Sequence, residues 1–309
     1  MRIGLDMMGG DYAPTEAVKG LFLYLEEAPA DAVVFAIGDS EVLSEAGLPE
    51  NRVRIVNAPQ VIEMHEHPTR ALKEKPNSSI SVGFHLLKEE QIDAFISAGN
   101  TGAMLVGTHF SIKPLKGIQR PAIGAVFPRI NGKSGVLCDV GLNADCKPEQ
   151  LEQFALLGSI LAEEIMGIEN PKVGLLNIGE EEGKGNILSQ ETYQLLKKNT
   201  AINFTGNIEG RDVFTDKADV MVCDGFTGNI VLKMGEQLYE IAKTRNINDE
   251  FFNRCNFETY GGTPILGVSK PVIIGHGISH QLSFKNMLLL AQKMIERDVM
   301  TKMQQALHG

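Results

Sequence analysis

No apolar run in this sequence approaches the ~20 residues needed to cross a bilayer. The longest, around Leu21 to Leu25 and Met287 to Ala291, fall far short, and no membrane-spanning helix is expected. Basic charge is also scarce: 29 Lys and Arg against 39 Asp and Glu leave a formal net charge of −10 and a pI near 5.3. Such a chain repels nucleic acid and anionic lipid at long range, so an anionic ligand must be met by a local basic or amide-rich pocket. Nucleic acid is therefore excluded as an expected partner.

The four cysteines, Cys138, Cys146, Cys223 and Cys255, form no C-x-x-C pair and have no accompanying histidine cluster. Neither a zinc site nor a disulfide framework is indicated, and a reducing cytoplasm is the expected setting. The opening Met1-Arg2-Ile3-Gly4-Leu5-Asp6 reads as a strand without a basic leader or cleavage site, so no signal peptide is expected. Low-complexity tracts, solenoid-length repeats and Pro/Ser-rich linkers are missing too. With 43% hydrophobic and 22% charged residues, residues 1–309 are read as one globular domain whose sub-lobes no linker marks.

What is present is an alternation. Short Val/Ile-rich runs at Val33–Ile37, Val53–Val56, Ile92–Ser97, Ala122–Phe127, Gly135–Val140, Val173–Ile178, Ala218–Cys223 and Val272–Gly275 read as buried strands. Helical spacing appears at Pro14–Glu27, Glu149–Met166, Leu188–Lys198, Thr227–Ala242 and Gln281–Gln304. The pattern predicts an α/β fold with a mainly parallel sheet covered by helices.

Glycines collect where these strands end, and the carboxyl ends of parallel strands are where ligands bind. In Asp6-Met7-Met8-Gly9-Gly10-Asp11 the two glycines permit a tight turn with free amides, or serve as a plain structural turn. Gly99-Asn100-Thr101-Gly102 and Gly225-Phe226-Thr227-Gly228 share a Gly-x-Thr-Gly pattern between a strand and a helix. A helix start can hold a phosphate with help from Asn100, Thr101, Thr227 or Asn229, although the same residue types also simply cap helices. Gly179 to Gly185 imitates a nucleotide loop, but its spacing is one residue short and three glutamates repel polyphosphate. Lys184 there is either a point charge for a single anion or a solvated lysine.

Arg120 can clamp phosphate or pair with a carboxylate, and His276, between Gly275 and Gly277, can face a cleft or be structural. The spacing of Asp139 and Asp145 is common in turns, and no metal is expected there. A G-x-S-x-G elbow is missing, as is a recognisable cysteine nucleophile motif, so a covalent acyl-enzyme finds no support.

In their shared order, these strings resemble the PlsX family of phosphate acyltransferases, or acyl carrier protein:phosphate transacylases, over nearly the full length. The carriers are Asp6 to Asp11, Ser97 to Ala103, Gly117 to Ala122, Asp139 to Asn143, Leu175 to Gly179, Gly206 to Asp212, Cys223 to Asn229, Tyr260 to Gly262 and Gly275 to Gly277. The resemblance implies a three-layer α/β/α sandwich similar to the isocitrate and isopropylmalate dehydrogenase fold, without a nicotinamide cofactor. It implies a homodimer that moves a long-chain fatty acyl group from acyl carrier protein to inorganic phosphate, with no metal or organic cofactor. The acyl phosphate would start bacterial phospholipid synthesis and pass to a downstream membrane glycerol-phosphate acyltransferase. The alternatives are an acyl-coenzyme A phosphotransacylase and a non-catalytic carrier-protein docking module.

On this reading His276, Lys184 and Asn229 are the candidate catalytic residues. Asp6, Gly9, Gly10, Asn100, Thr101, Gly102, Arg120, Asp139, Asn143, Asn177, Asp224, Thr227 and Gly228 are the candidate substrate-binding residues. Leu142 stands where the family usually has a small residue. The family's long helical hairpin with an apolar tip is replaced here by a short connector from Ile241 to Tyr260. A cytoplasmic location, at most peripheral to a membrane, is expected.

Overall fold

The computed structural model describes residues 1–307. From the N-terminus the chain forms β1 (Arg2–Asp6), α1 (Thr15–Glu27), β2 (Val33–Gly38), α2 (Ser40–Ser44), β3 (Val53–Asn57), α3 (Pro68–Glu74), α4 (Ser79–Lys88), β4 (Ala94–Ser97) and α5 (Thr101–Ser111). It continues through β5 (Ala122–Pro128), β6 (Ser134–Cys138), α6 (Pro148–Met166), β7 (Lys172–Asn177), α7 (Ile187–Lys198), β8 (Asn203–Glu209), β9 (Val220–Val222) and α8 (Gly225–Thr244). The last elements are α9 (Glu250–Arg254), β10 (Gly262–Leu266), β11 (Val272–Gly275), α10 (Gln281–Glu296) and α11 (Val299–Ala306). All eight expected Val/Ile runs contain strands, and the mixed α/β class is as expected. The predicted Gln281–Gln304 helix is two helices, because Asp298 adopts a left-handed φ of 50° between them.

The chain divides into two compact units. The first comprises Met1–Pro114, Glu258–Pro264 and Val268–Glu296, and the second comprises Leu115–Phe257, Ile265–Gly267 and the segment from Arg297 onward. No composition shift marks the crossing points.

In the first unit the strand order is β3-β2-β1-β4-β11, all parallel, with the start of β10 antiparallel to β11. β4 and β11 are buried along their whole length, as are Ile3 to Asp6 of β1, because helices cover both faces. α10 packs on β1, β4 and β11 with α1 beside it, and α4 packs on the other face with α5 beside it. Two glycines permit the close approaches: Gly83 of α4 admits the Phe95 ring, and Gly20 of α1 admits the α10 backbone.

The second unit departs from the parallel expectation. The end of β10 and β6 both pair antiparallel with β5, whereas β6, β9, β7 and β8 run parallel in that order. β5 therefore brings its beginning, not its end, to the edge where β6 finishes, since Gly124 lies opposite Cys138. α6 covers one face, with Gly158 against Val220, and α8 covers the other, with Gly235 against the Phe127 ring. The short connector is part of this core: Phe251 packs edge-on against Phe214, itself stacked on Phe127 with centroids 5.0 Å apart. No helix among the described residues is long and apolar enough to cross a membrane.

A Cβ at Gly20 would lie 2.4 Å from Phe284 Cβ and 2.6 Å from the Gln281 carbonyl, with backbone on one side that cannot swing away. Gly20→Leu is expected to lower the unfolding free energy by about 2–3 kcal/mol through overpacking. Urea denaturation of the purified variant checks this, and an unchanged midpoint would contradict it.

Candidate active site

In the first unit, β1, β4 and β11 are neighbours and end at one edge, with Leu5 level with Ile96 and Ile274 level with Ser97. Asp6 finishes β1 and is completely buried. Its Oδ2 accepts from the Ser97 hydroxyl at 2.6 Å and its Oδ1 accepts from the Met8 N–H at 2.9 Å, while Ser97 Oγ accepts from the Gly99 N–H at 2.9 Å. Burial pushes the Asp6 carboxyl above its ordinary range, against hydrogen bonds from Ser79, Ser97, Met8 and Gly9 that favour ionisation. Only glycine fits at position 9, because a Cβ there would sit 2.5 Å from Asp6 Oδ2 and 2.6 Å from the Gly99 nitrogen. Asp6 is thus a brace beneath two loops. No part of it reaches solvent.

Asn100 also braces a loop. It is buried, its Oδ1 accepts from the Ala103 N–H at 2.9 Å, and its Nδ2 donates to the carbonyls of Glu63, Met64 and Glu66 at 2.9, 3.2 and 3.1 Å. Oxygen and amide are both committed to the protein. Lys75 fastens the same segment, donating to the Val61 carbonyl at 2.7 Å and pairing with Glu66 at 2.6 Å. The cap was visible in the sequence, but this strap over residues 61–67 was not, because its partners lie 34 to 37 residues from Asn100.

Thr101 stays exposed at the start of α5, and Gly102 lies against the Pro68 ring. His276 is half-buried directly after β11, and its carbonyl accepts from the Ser279 N–H at 3.0 Å. Gly277 is joined to the first loop, its carbonyl accepting from the Asp11 N–H at 2.7 Å, beside Gly10. The first unit therefore gathers Asp6, Gly9, Gly10, Asn100, Thr101, Gly102 and His276 at one edge.

The second unit gathers another set. Asp139 follows β6, is fully buried, and accepts from the backbone N–H groups of Ile123, Leu142 and Asn143 and from Asn143 Nδ2 at 2.9, 3.3, 2.7 and 2.9 Å. Burial again pushes its carboxyl up. Asn143 also donates to the Pro121 carbonyl at 2.8 Å, and its own carbonyl accepts from the Gly225 N–H at 2.7 Å. Both Asp139 oxygens and the Asn143 amide nitrogen are engaged in these bonds. They hold the start of α8 and the residue after Arg120.

The start of α8 is seated by glycine: a Cβ on Gly228 would lie 1.9 Å from the Asp139 carbonyl oxygen. Asp224 caps the helix, accepting from the Thr227 N–H at 2.8 Å and the Thr227 hydroxyl at 2.9 Å. Asp224 is therefore another anchor. Asn229 is exposed and leans on Gly141, and Arg120 is exposed near enough to Cys146 to bias its thiol. Burial pushes Cys146 up to about 11, and Cys138 and Cys223 well above the ordinary range. A thiolate nucleophile is disfavoured at all three.

Asn177 and Lys184 lie farther along this edge, beyond β9. Asn177 Nδ2 donates to the Lys184 carbonyl at 3.1 Å, and exposed Lys184 lies 3.8 Å from Glu181. The two Gly-x-Thr-Gly turns belong to different units. Among the described residues, Glu180, Glu209 and Asp212 are close enough to share a metal ion. Lys217 already pairs with Glu180 at 2.7 Å and Asp212 at 2.8 Å, and Arg211 pairs with Glu209 at 2.5 Å. Protein cations satisfy that cluster.

The family model described as "Fatty acid synthesis protein" matches residues 1–302. A phosphate acyltransferase of Dictyoglomus thermophilum is 44% identical over 330 aligned positions, covering 99% of this chain and 98% of its own length. One from Dictyoglomus turgidum is 43% identical, covering 100% and 98%. Among solved structures, a phosphotransacetylase from Streptococcus pyogenes superposes with a TM-score of 0.66 at 20% identity, over 96% of this chain and 94% of its own, a likeness of fold.

The raised Asp6 pKa generates a pH dependence. Protonation of this carboxyl stabilises the fold, a contribution fully present below the unfolded carboxyl value near 3.9 and lost as pH rises through the higher folded value. Relative to Asp6→Asn, the wild-type protein is therefore expected to lose stability as pH rises through that window. Urea midpoints of both proteins from acid to neutral pH measure it; parallel curves would contradict the assignment.

Proposed function

Because this chain belongs to the phosphate acyltransferase family, whose members transfer acyl groups to phosphate, we propose that its donor is a long-chain acyl thioester of acyl carrier protein and its product is an acyl phosphate. The full-length match carries this reading. A phosphate oxygen attacks the thioester carbonyl carbon, the tetrahedral adduct collapses, and the carbon–sulfur bond breaks to release a thiolate that takes up a proton.

Phosphate is already nucleophilic near neutral pH, so positioning and charge stabilisation are the main tasks. In our reading, phosphate sits at the start of α8, where the helix dipole favours an anion. Exposed Arg120 and Asn229 serve it, with half-buried Thr227 and the close-packed Gly228 at the helix start and Asp139, Asn143 and Asp224 as anchors behind them. Lys184 supplies charge from the neighbouring loop. In the first unit, taken by itself, Gly9, Gly10, Thr101 and Gly102 are candidates to present backbone to substrate, and His276 is a candidate proton donor.

The enzyme acts in this proposal as a homodimer. Phe226, Ile230, Met234 and Ile241 are exposed on one stripe of α8, an apolar row that favours a partner over water. Its acyl phosphate is consumed by a membrane glycerol-phosphate acyltransferase.

Incubating the full chain with acyl carrier protein thioester and labelled phosphate, without nucleotide, is expected to yield acyl phosphate; no product would defeat the reading. The same assay with the coenzyme A thioester separates the two donors. Arg120→Ala should raise KM for phosphate about 10-fold or more, with Arg120→Lys recovering part of the loss. Equal phosphate KM in all three proteins would remove Arg120 from the site. Met234→Asp is expected to shift the sedimenting mass toward monomer, and an unshifted mass would move the dimer contact elsewhere.

A further inference from the structure

Three large apolar or aromatic side chains stand out of the first unit at the loops that follow β1, β3 and β11. Met64, Tyr12 and Ile278 are 46%, 45% and 46% exposed. All three border one backbone junction, where the Asp11 N–H donates to the Gly277 carbonyl at 2.7 Å. A Cβ on Gly277 would meet the Met64 methyl at 2.9 Å, Ile278 follows Gly277, and Tyr12 follows Asp11. The Tyr12 ring is itself fixed, stacked on His280 with centroids 4.5 Å apart and planes 15° from parallel.

The backbone that carries Met64 is fixed, because its carbonyl and those of Glu63 and Glu66 accept from the buried Asn100 amide while Lys75 grips Val61 and Glu66. Buried polar bonds thus fix the backbone from which an apolar side chain projects at the edge where parallel strands bind ligands. A conformationally adaptable thioether suits a flexible hydrocarbon better than a headgroup that needs directed hydrogen bonds.

We propose that Met64, with Tyr12 and Ile278, forms the seat for the acyl chain, and that Met64 sets how strongly long chains are preferred. The proposal rests on the acyl thioester reading above and deepens it. Asn100 is then a positioning residue, acting on the chain only through the strap.

The test compares kcat/KM for octanoyl, dodecanoyl and hexadecanoyl thioesters in wild-type protein, Met64→Gln, Met64→Leu and Ile278→Ser. Met64→Gln should lose about 10-fold on the hexadecanoyl thioester and less than about 2-fold on the octanoyl one, reflecting lost methylene contacts. KM for phosphate should not move, and Met64→Leu should restore the long-chain preference. Equal losses at every chain length, or no loss, would overturn the seat. Should wild-type protein turn over no thioester, the functional reading fails by itself. Calorimetry with the unreactive S-hexadecyl pantetheine thioether then decides the seat: binding about 10-fold weaker in Met64→Gln supports it, and no binding or equal binding overturns it.

Discussion

Two buried carboxylates, Asp6 and Asp139, each sit at the carboxyl end of a central strand and accept hydrogen bonds from the loops around them. A buried carboxylate is costly in a dry interior unless its oxygens are satisfied, so the loop N–H groups and hydroxyls must be in place for the unit to fold. That requirement couples loop geometry to core stability. Each aspartate thus converts folding free energy into a fixed loop shape, which a binding surface needs and an unsupported glycine-rich turn lacks.

The anchoring explains the division of labour among polar residues at these edges. Asp6, Asn100, Asp139 and Asp224 spend their side-chain polar atoms on the protein, as Asn143 does its amide nitrogen, while exposed Thr101, Arg120, Asn229 and Lys184 face outward. Such an arrangement suits an acidic molecule that handles an anion, because the nearest carboxylates are engaged by N–H and hydroxyl donors. At the start of α8, Asp224 has its two oxygens on Thr227. In the proposed site, the helix dipole and the Arg120 charge then act on the incoming phosphate.

Much of the strand framework was legible because buried parallel strands are continuous apolar runs, and β2, β5, β7 and β11 fall within a residue or so of the expected runs. β8 escaped notice because its sequence Asn-Phe-Thr-Gly-Asn-Ile-Glu is polar and partly exposed at a sheet edge. β10 escaped because Gly262 and Pro264 argue against a strand interior, yet its antiparallel pairing accommodates them. α3 and α4 lie in a stretch whose strongest local signals are caps, Pro68 and Ser78, and whose apolar periodicity is short.

The sequence by itself determined which strand ends carry glycine loops, which helices begin after them, and which family they belong to, because these are properties of local spacing and order. Whether a given polar side chain faces a ligand or braces a loop was decided only in three dimensions. Asn100 reads identically as a cap or a phosphate ligand until the strap 34 to 37 residues away takes its amide. Arg120 joins the Asp139 cluster only because β5 runs antiparallel and returns its first residues to the edge where β6 ends. Hydrogen-bond satisfaction and strand direction are properties of non-local pairing, and no local spacing encodes them.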